Sequence, residues 1–256
     1  MGSWSEKQIV MKIKYYNKKD EINTYADWER VFKAAKPKDW KEGRSAQSLA
    51  EFMMQENGFE SLKQYVGEAI QTPKDEIEMQ KVTIEGRIAF DNYNHSREHD
   101  LAIEARTKSN KTIFIGVEAK VDEPFGSKTI EQYRKSAINK NTNSTVPCRI
   151  DGLKTYFPKD KDPEFEKLQY QLATATAGTL CAQTAEKTDY DFYVFMVLVF
   201  TDNCDAKKKE ENINAFVLFL NAIAAQELCE DTYKCESNNK TLIIINKDIK
   251  TTTGGA

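Results

Sequence analysis

Three residues near the middle of the chain have the side-chain types needed for metal-assisted hydrolysis. Asp100 begins one segment of alternating apolar residues, and Glu118 and Lys120 lie two positions apart in the next such segment. Carboxylate oxygens are the ligands that hard divalent cations prefer, and a nearby ammonium stabilises charge that develops on a phosphate. The sequence therefore predicts a site with two acids and one base, at which a metal ion assists hydrolysis.

The two segments are expected to pair as a β-hairpin. One face of the pair is buried throughout only if the apolar positions match as 101 with 117, 103 with 115 and 105 with 113. That register sets Asp100 opposite Glu118 and places Glu104 and Lys120 on the same face, where Gly116 leaves space. Side chains opposed in this way lie about 5 Å apart at Cβ, so two carboxylates there would need a cation between them.

The elements around this hairpin predict an α/β fold. Helices are expected at 23–35, from Ser45 to Gly58, and at 60–71, 128–138, 162–186 and 207–226. Strands are expected at 81–90, 100–106, 112–123, 192–200 and 241–249, and residues 92–99 and 139–162 are expected to be irregular. This order predicts a sandwich in which helices flank a mixed central sheet. We expect an N-terminal helical extension at 1–36, the main domain at 37–250 and a flexible tail at 251–256.

The composition narrows the class of protein. The chain has 256 residues, of which 40% are hydrophobic and 11% aromatic, enough for a substantial core. No apolar run approaches the roughly 18 residues that a membrane span needs, and the first residues lack the pattern of a secretory signal. The five cysteines form no CxxC pair, which favours idle thiols and a cytoplasmic location. A net charge of −3 argues against a nucleic-acid binder that works by overall charge.

Asp100 followed by Glu118-Ala119-Lys120 resembles the core of the PD-(D/E)XK, or restriction-endonuclease-like, nuclease superfamily. The residues around this core are similar to those of an uncharacterised bacterial subfamily grouped with restriction endonucleases. The similarity covers about residues 37–200, through Trp40-Lys41, Gly43-Arg44-Ser45-Ala46, Leu49-Ala50, Glu118-Ala119-Lys120-Val121, Glu123, Phe125-Gly126, Arg149 and Tyr170-Gln171-Leu172.

The resemblance implies a three-layer sandwich and hydrolysis of nucleic-acid phosphodiester bonds, DNA before RNA, with Mg²⁺ or Mn²⁺ and a role in restriction or defence. Asp100, Glu118 and the carbonyl of Ala119 would bind the metal, and Lys120 would position water or stabilise the transition state. Glu51 is a further candidate metal ligand. The sequence departs from the superfamily pattern before the first acid, where His99 replaces the proline that is often found there.

Nucleic-acid contacts are expected from residues outside this core. Gln171 resembles the glutamine of a helical QxxxY motif, although position 175 is alanine. Positive residues of the segment expected to be irregular are candidates for phosphate contact, namely Lys140, Arg149, Lys154 and Lys159. His95 and His99 are interpreted as loop residues.

Two other classes of function stay open. A protein could keep the nuclease fold without catalysis and act as a module that binds nucleic acid or another protein, because fold does not fix function. A non-nuclease enzyme or an immunity-type partner on the same sheet is a third interpretation. We expect nucleic acid as the partner, no membrane association, and leave homodimerisation open.

Overall fold

A mixed β-sheet runs through the residues that the computed structural model describes, which are 12–93, 95–202 and 204–250. Its eight strands are β1 (Lys12–Tyr15), β2 (Ile77–Ile88), β3 (Arg97–Thr107), β4 (Thr112–Lys120), β5 (Phe192–Phe200), β6 (Gln226–Cys229), β7 (Thr232–Ser237) and β8 (Lys240–Ile249). The strands are ordered β1-β2-β3-β4-β5-β8-β7-β6, with β2, β3 and β4 antiparallel and β4, β5 and β8 parallel. The expected α/β fold with a mixed central sheet is confirmed.

Helices cover both faces of the sheet. The described residues contain eight α-helices: α1 (Tyr25–Ala35), α2 (Ser45–Met54), α3 (Gly58–Ile70), α4 (Ile130–Lys140), α5 (Val146–Lys154), α6 (Asp162–Lys167), α7 (Tyr170–Cys181) and α8 (Ala206–Ala222). Residues of α1, α2 and α3 share one hydrophobic core with the sheet, and residues of α4 to α8 share a second. We call these the α1–α3 layer and the α4–α8 layer.

The hairpin of β3 and β4 has the expected register. Leu101 pairs with Val117, Ile103 with Ile115 and Ala105 with Ile113. These six side chains lie in the core of the α1–α3 layer, whereas Ala102 and Phe114 lie in the core of the α4–α8 layer. The apolar alternation therefore fixes which layer each side chain of this hairpin meets.

Several elements differ from the sequence-based expectations. β3 begins at Arg97 and not at Asp100, because the three residues before Asp100 pair with residues 86–88 of β2. Gly58 begins α3 and does not end α2. The segment 139–162, expected to be irregular, contains α5. The strands β1, β6 and β7 were not expected, since each has six residues or fewer.

The long helix expected from Asp162 to residue 186 is instead two helices, α6 and α7. The chain between them pairs with the start of α4, where Ile130 N–H donates to the Leu168 carbonyl at 2.8 Å and Tyr170 N–H to the Lys128 carbonyl at 3.1 Å. These bonds use backbone groups that a continuous helix would pair internally. The break lets α7 begin beside the end of β4, with Gln171 in its first turn.

Residues 12–35 contribute to the same core as the central strands. β1 pairs parallel with β2, and Trp28 of α1 is buried in the α1–α3 layer. The tail expected at 251–256 lies outside the described residues. The five cysteines carry free thiols, and no helix in the described ranges has the length and apolar character to cross a bilayer.

Candidate active site

Glu118 and Lys120 lie near the end of β4 and turn toward the α4–α8 layer. Their exposures are 1% and 6%. Lys120 Nζ donates to Glu118 Oε1 at 2.7 Å, and the ammonium lies 5.6 Å from the centre of the Phe125 ring. Burial by itself raises the pKa of Glu118, but the positive charges of Lys120 and Arg97 outweigh it and hold that pKa below its ordinary value. Glu118 is therefore an ionised carboxylate sealed from water.

Two further groups donate to the same carboxylate. The Arg97 guanidinium forms a hydrogen-bonded ion pair with Glu118 Oε2, and the side-chain amide of Gln171 donates to Oε1. Gln171, a candidate for nucleic-acid contact, thus contacts the acid directly. Arg97 was missed because residues 92–99 had the composition of a loop.

Two glycines make room for the side chains of β3 between the sheet and α7. A Cβ on Gly178 would lie 2.7 Å from the Cβ of Arg97, and a Cβ on Gly116 would lie 2.7 Å from His99 Cε1 and from Thr179 Oγ1. Both distances are shorter than those real Cβ atoms show, so a side chain at either position would force its neighbours to move. Gly116 does leave space, as expected, but His99 fills it.

His99 is a buried part of this layer and not a loop residue. Its ring is wholly buried, and burial together with the charge of Arg97 places its pKa well below the ordinary value. Neither ring nitrogen has a hydrogen-bond partner among the described residues, nor does the Thr179 hydroxyl. The imidazole is therefore neutral and contributes no charge beside Glu118.

Asp100 lies just beyond the last paired residues of the hairpin, Leu101 and Val117. Its Oδ2 accepts from Ala119 N–H at 2.7 Å, and the side chain lines a cavity of about 140 Å³ on the side of α1 and α2. Asp100 therefore lies where the hydrogen-bonded pairing of β3 with β4 ends. Burial and then the negative charge of Glu118 raise the pKa of Asp100 to about 7. The two acids interact electrostatically, although Glu118 meets α7 and Asp100 faces the opposite layer.

A second carboxylate, Glu85, lines the cavity with Asp100. Glu85 belongs to β2, is 5% exposed and has a φ of 55°, a left-handed conformation that interrupts the strand alternation. Burial and the charge of Asp100 raise its pKa to about 9. Lys36 forms ion pairs with both Glu85 and Glu98. Sequence reasoning missed Glu85 because it occupies a position of the alternating pattern at which an exposed residue is expected.

The residues partly fit a divalent cation. The described residues contain no group of three or more His, Cys, Asp and Glu side chains placed to hold a metal ion. Burial raises the pKa of Asp100 most and the negative charge of Glu118 raises it further, and a nearby cation would lower it. Both oxygens of Glu118 already accept hydrogen bonds, however, so a cation at this acid must displace a partner.

A groove of about 490 Å³ adjoins the Asp100 cavity, and the two share Asp39 and Ser45 as lining residues. Its positive residues are Lys38, Lys41, Arg44 and Lys208. Arg44 and Lys208 pair with Asp122, while Lys38 and Lys41 are exposed. Lys38 and Lys41 are therefore accessible cations beside the cavity that contains Asp100.

The remaining candidates lie away from these acids or are engaged elsewhere. Arg149 is buried, pairs with Asp91 at 2.8 Å, donates to the His95 carbonyl and lies over the Phe90 ring. Lys154 pairs with Glu166 at 3.3 Å.

Glu51 is on α2 and accepts from Gln47 at 2.8 Å, and it is not among the residues that line the Asp100 cavity. Lys140 is an exposed residue at the end of α4, and Lys159 is also exposed. Their roles in metal or nucleic-acid binding stay predictions.

The chain belongs to a protein family described as Domain of unknown function (DUF6946), whose model matches residues 21–249. No curated protein and no solved structure matches the chain. The description of this family names no activity, so the site is the basis for the function proposed below.

Proposed function

We propose that the chain is a metal-dependent nuclease with a restriction-endonuclease-like fold that hydrolyses phosphodiester bonds of nucleic acid, DNA before RNA. The observation that carries this proposal is the buried Glu118–Lys120 pair beside Asp100, an acid whose pKa stays raised. The order of an antiparallel β2-β3-β4 unit followed by helices and a parallel β5, with helices on both faces, supports the three-layer fold.

The proposal gives each residue one task. Asp100, Glu118 and the carbonyl of Ala119 would hold Mg²⁺ or Mn²⁺ if the Asp100 side chain turned from the cavity on the α1 and α2 side toward Glu118. A cation held there would activate water and polarise the phosphate. Lys120 would stabilise negative charge that develops on the phosphate, because its ammonium lies 2.7 Å from Glu118 and is shielded from bulk water. Gln171 would fix the orientation of the Glu118 carboxylate through its amide.

The adjoining groove supports nucleic acid as the substrate. Lys38 and Lys41 would meet phosphates of a strand whose scissile bond lies near Asp100, since the groove and the cavity share Asp39 and Ser45. The groove also contains acidic residues, so we expect the binding to be local and salt-dependent and not to arise from a uniformly positive surface.

Cleavage of a mixed panel of DNA and RNA in Mn²⁺ tests the proposal. We expect wild-type protein to cleave DNA, the Asp100→Asn variant to lose cleavage, and chelator to stop the reaction. Glu104→Gln is the matched control, because Glu104 also belongs to β3 but pairs with Lys81 at 2.5 Å. Equal cleavage by wild type and Asp100→Asn would place the activity elsewhere.

A second candidate function is a catalytically inactive module that binds nucleic acid or protein. One observation favours it, namely that Arg97, Lys120 and Gln171 already satisfy the charge and acceptors of Glu118. Nucleic-acid binding without cleavage in any divalent metal would support this function over the first.

A further inference from the structure

A cavity of about 270 Å³ is lined by residues of β1, β2 and β3, on the face of the sheet that belongs to the α4–α8 layer. Its lining includes Ala102 and Phe114, whose side chains are part of the core of that layer. Within the described part of the chain, it shares no lining residue with the Asp100 cavity or with the groove that adjoins it. This cavity, which we call the β1–β3 pocket, is therefore a separate site.

The pocket exists because the helices leave this part of the sheet uncovered. At the centre of the sheet, Phe195 of β5 packs against Phe219 of α8 and is fully buried. On the same face of β1 and β2, Lys14 and Thr83 are half-buried and Lys81 is exposed. Polar residues at these positions are typical of an antiparallel sheet that faces water on one side.

The β1–β3 pocket is positively charged, although the chain has a net charge of −3. Its charged lining residues are the cations Lys14, Lys18, Lys81 and Arg87 and the single acid Glu104. Lys81 pairs with Glu104 at 2.5 Å, and Arg87 pairs with Glu98 at 2.8 Å. The ammonium groups of Lys14 and Lys18 have no hydrogen bond or ion pair with any other described residue. Two cations without acidic partners therefore attract an anion to this pocket.

One wall of the pocket is flat and suits a planar ligand. The Arg87 guanidinium lies 5.2 Å from the centre of the Tyr16 ring, in a cation–π arrangement. Nucleic-acid bases stack on aromatic rings and on guanidinium planes of this kind. The volume of the pocket is close to the lower end of the range of roughly 300–1,000 Å³ that small-molecule pockets occupy, so it suits a ligand as small as one nucleotide.

We propose that the β1–β3 pocket binds a nucleoside monophosphate, with the phosphate at Lys14 and Lys18 and the base against the wall formed by Tyr16 and Arg87. Inorganic phosphate would contact only the two ammonium groups, so it should bind more weakly than a nucleotide. The inference does not rest on the proposed function, because the pocket contains none of the residues assigned to catalysis and its ligand needs no metal ion.

Titration calorimetry with the four ribonucleoside 5′-monophosphates, in the presence of chelator, tests the inference. We expect at least one of them to bind the wild-type protein with a Kd below about 1 mM. The double variant Lys14→Gln, Lys18→Gln should bind it about tenfold or more weakly, because two charge-assisted hydrogen bonds are lost. The variant should fold, since neither ammonium group has a partner to lose among the described residues. Tyr16→Leu should also weaken nucleotide binding but leave the affinity for inorganic phosphate unchanged.

The matched control is the double variant Lys38→Gln, Lys41→Gln, which removes the same charge from the groove and should bind the nucleotide like wild type. Loss of nucleotide binding in this variant and not in the Lys14, Lys18 variant would place the ligand in the groove and overturn the inference. No nucleotide binding, or equal affinities for nucleotide and inorganic phosphate, would also overturn it. So would tighter binding of a single-stranded oligonucleotide that depends on Lys14 and Lys18. If the wild-type protein still cleaves DNA in Mn²⁺, any of these results leaves the proposed function standing.

Discussion

Replacing Lys120 by methionine removes the ammonium and keeps most of the buried stem. The variant loses one charge-assisted hydrogen bond of 2.7 Å to Glu118, a bond of a type worth about 1.5–3 kcal/mol. Arg97 and Gln171 still hold the carboxylate, so Glu118 is not left unpaired. We therefore expect the melting temperature to fall by roughly 3–10 °C with the fold intact.

Replacing Lys120 by methionine should lower the rate of DNA cleavage much more than it lowers the affinity for Mn²⁺. Loss of one well-placed electrostatic group lowers a rate by about a hundredfold, while Asp100 and the Glu118 carboxylate remain to bind the metal. Single-turnover cleavage of DNA in Mn²⁺, beside a Mn²⁺ titration, separates the two effects. Lys81→Met is the control, since Lys81 pairs with Glu104 at 2.5 Å on an exposed part of the sheet and should change neither quantity. A folded Lys120→Met variant that cleaves at the wild-type rate would refute the assignment of this lysine.

The next prediction concerns the pH dependence of stability. The pKa of Asp100 rises on folding from 3.8 to about 7, so Asp100 loses its proton at a lower pH in the unfolded chain than in the folded one. The free energy of unfolding therefore falls as the pH rises from about 4 to 7. Asp100→Asn should lose less unfolding free energy than wild type between pH 4 and 7 in urea titrations, and parallel curves would contradict the raised pKa. Replacing Lys38 and Lys41 by glutamine should flatten the salt dependence of DNA binding measured by fluorescence anisotropy, because phosphate contacts release counterions. The matched pair Lys140 and Lys159 should leave the slope unchanged, and the opposite result would place the phosphate contacts at the positions expected from sequence. Gly178→Ala should lower stability by about 1–3 kcal/mol in chemical denaturation, because the new Cβ would lie 2.7 Å from Arg97. The control Gly152→Ala should leave stability unchanged, because a Cβ there would meet nothing within 4 Å. Equal losses of stability in both variants would show that the space between Gly178 and Arg97 is not tight.

The pairing of β3 with β4 and the position of Glu118 and Lys120 could be predicted from the sequence. The apolar alternation of the hairpin allows one register, and that register is present, with Leu101 opposite Val117. The same pattern places Glu118 and Lys120 on the face away from the apolar set, where they contact α7 and Phe125. Alternation is a reliable guide here because both strands are regular over these residues.

The rest of the site depends on contacts that alternation does not encode. The placement of Asp100 beside Glu118 on one face assumed a ladder that continues past Leu101, but the chain parts there and Asp100 faces α1 and α2. The left-handed φ of Glu85 likewise interrupts its strand pattern. Arg97 lies in a segment with the composition of a loop. Its burial is explained by the space that Gly178 leaves and by the charge of Glu118. Such partners are distant in sequence and become apparent only in the folded chain.

Anomalous diffraction from crystals grown with Mn²⁺ tests most directly whether Asp100 and Glu118 form one metal site. The account predicts an anomalous peak within coordination distance of both carboxylates, with Lys120 still within hydrogen-bond distance of Glu118. A peak at another group of residues, or no peak at Mn²⁺ concentrations that support cleavage, would contradict the account.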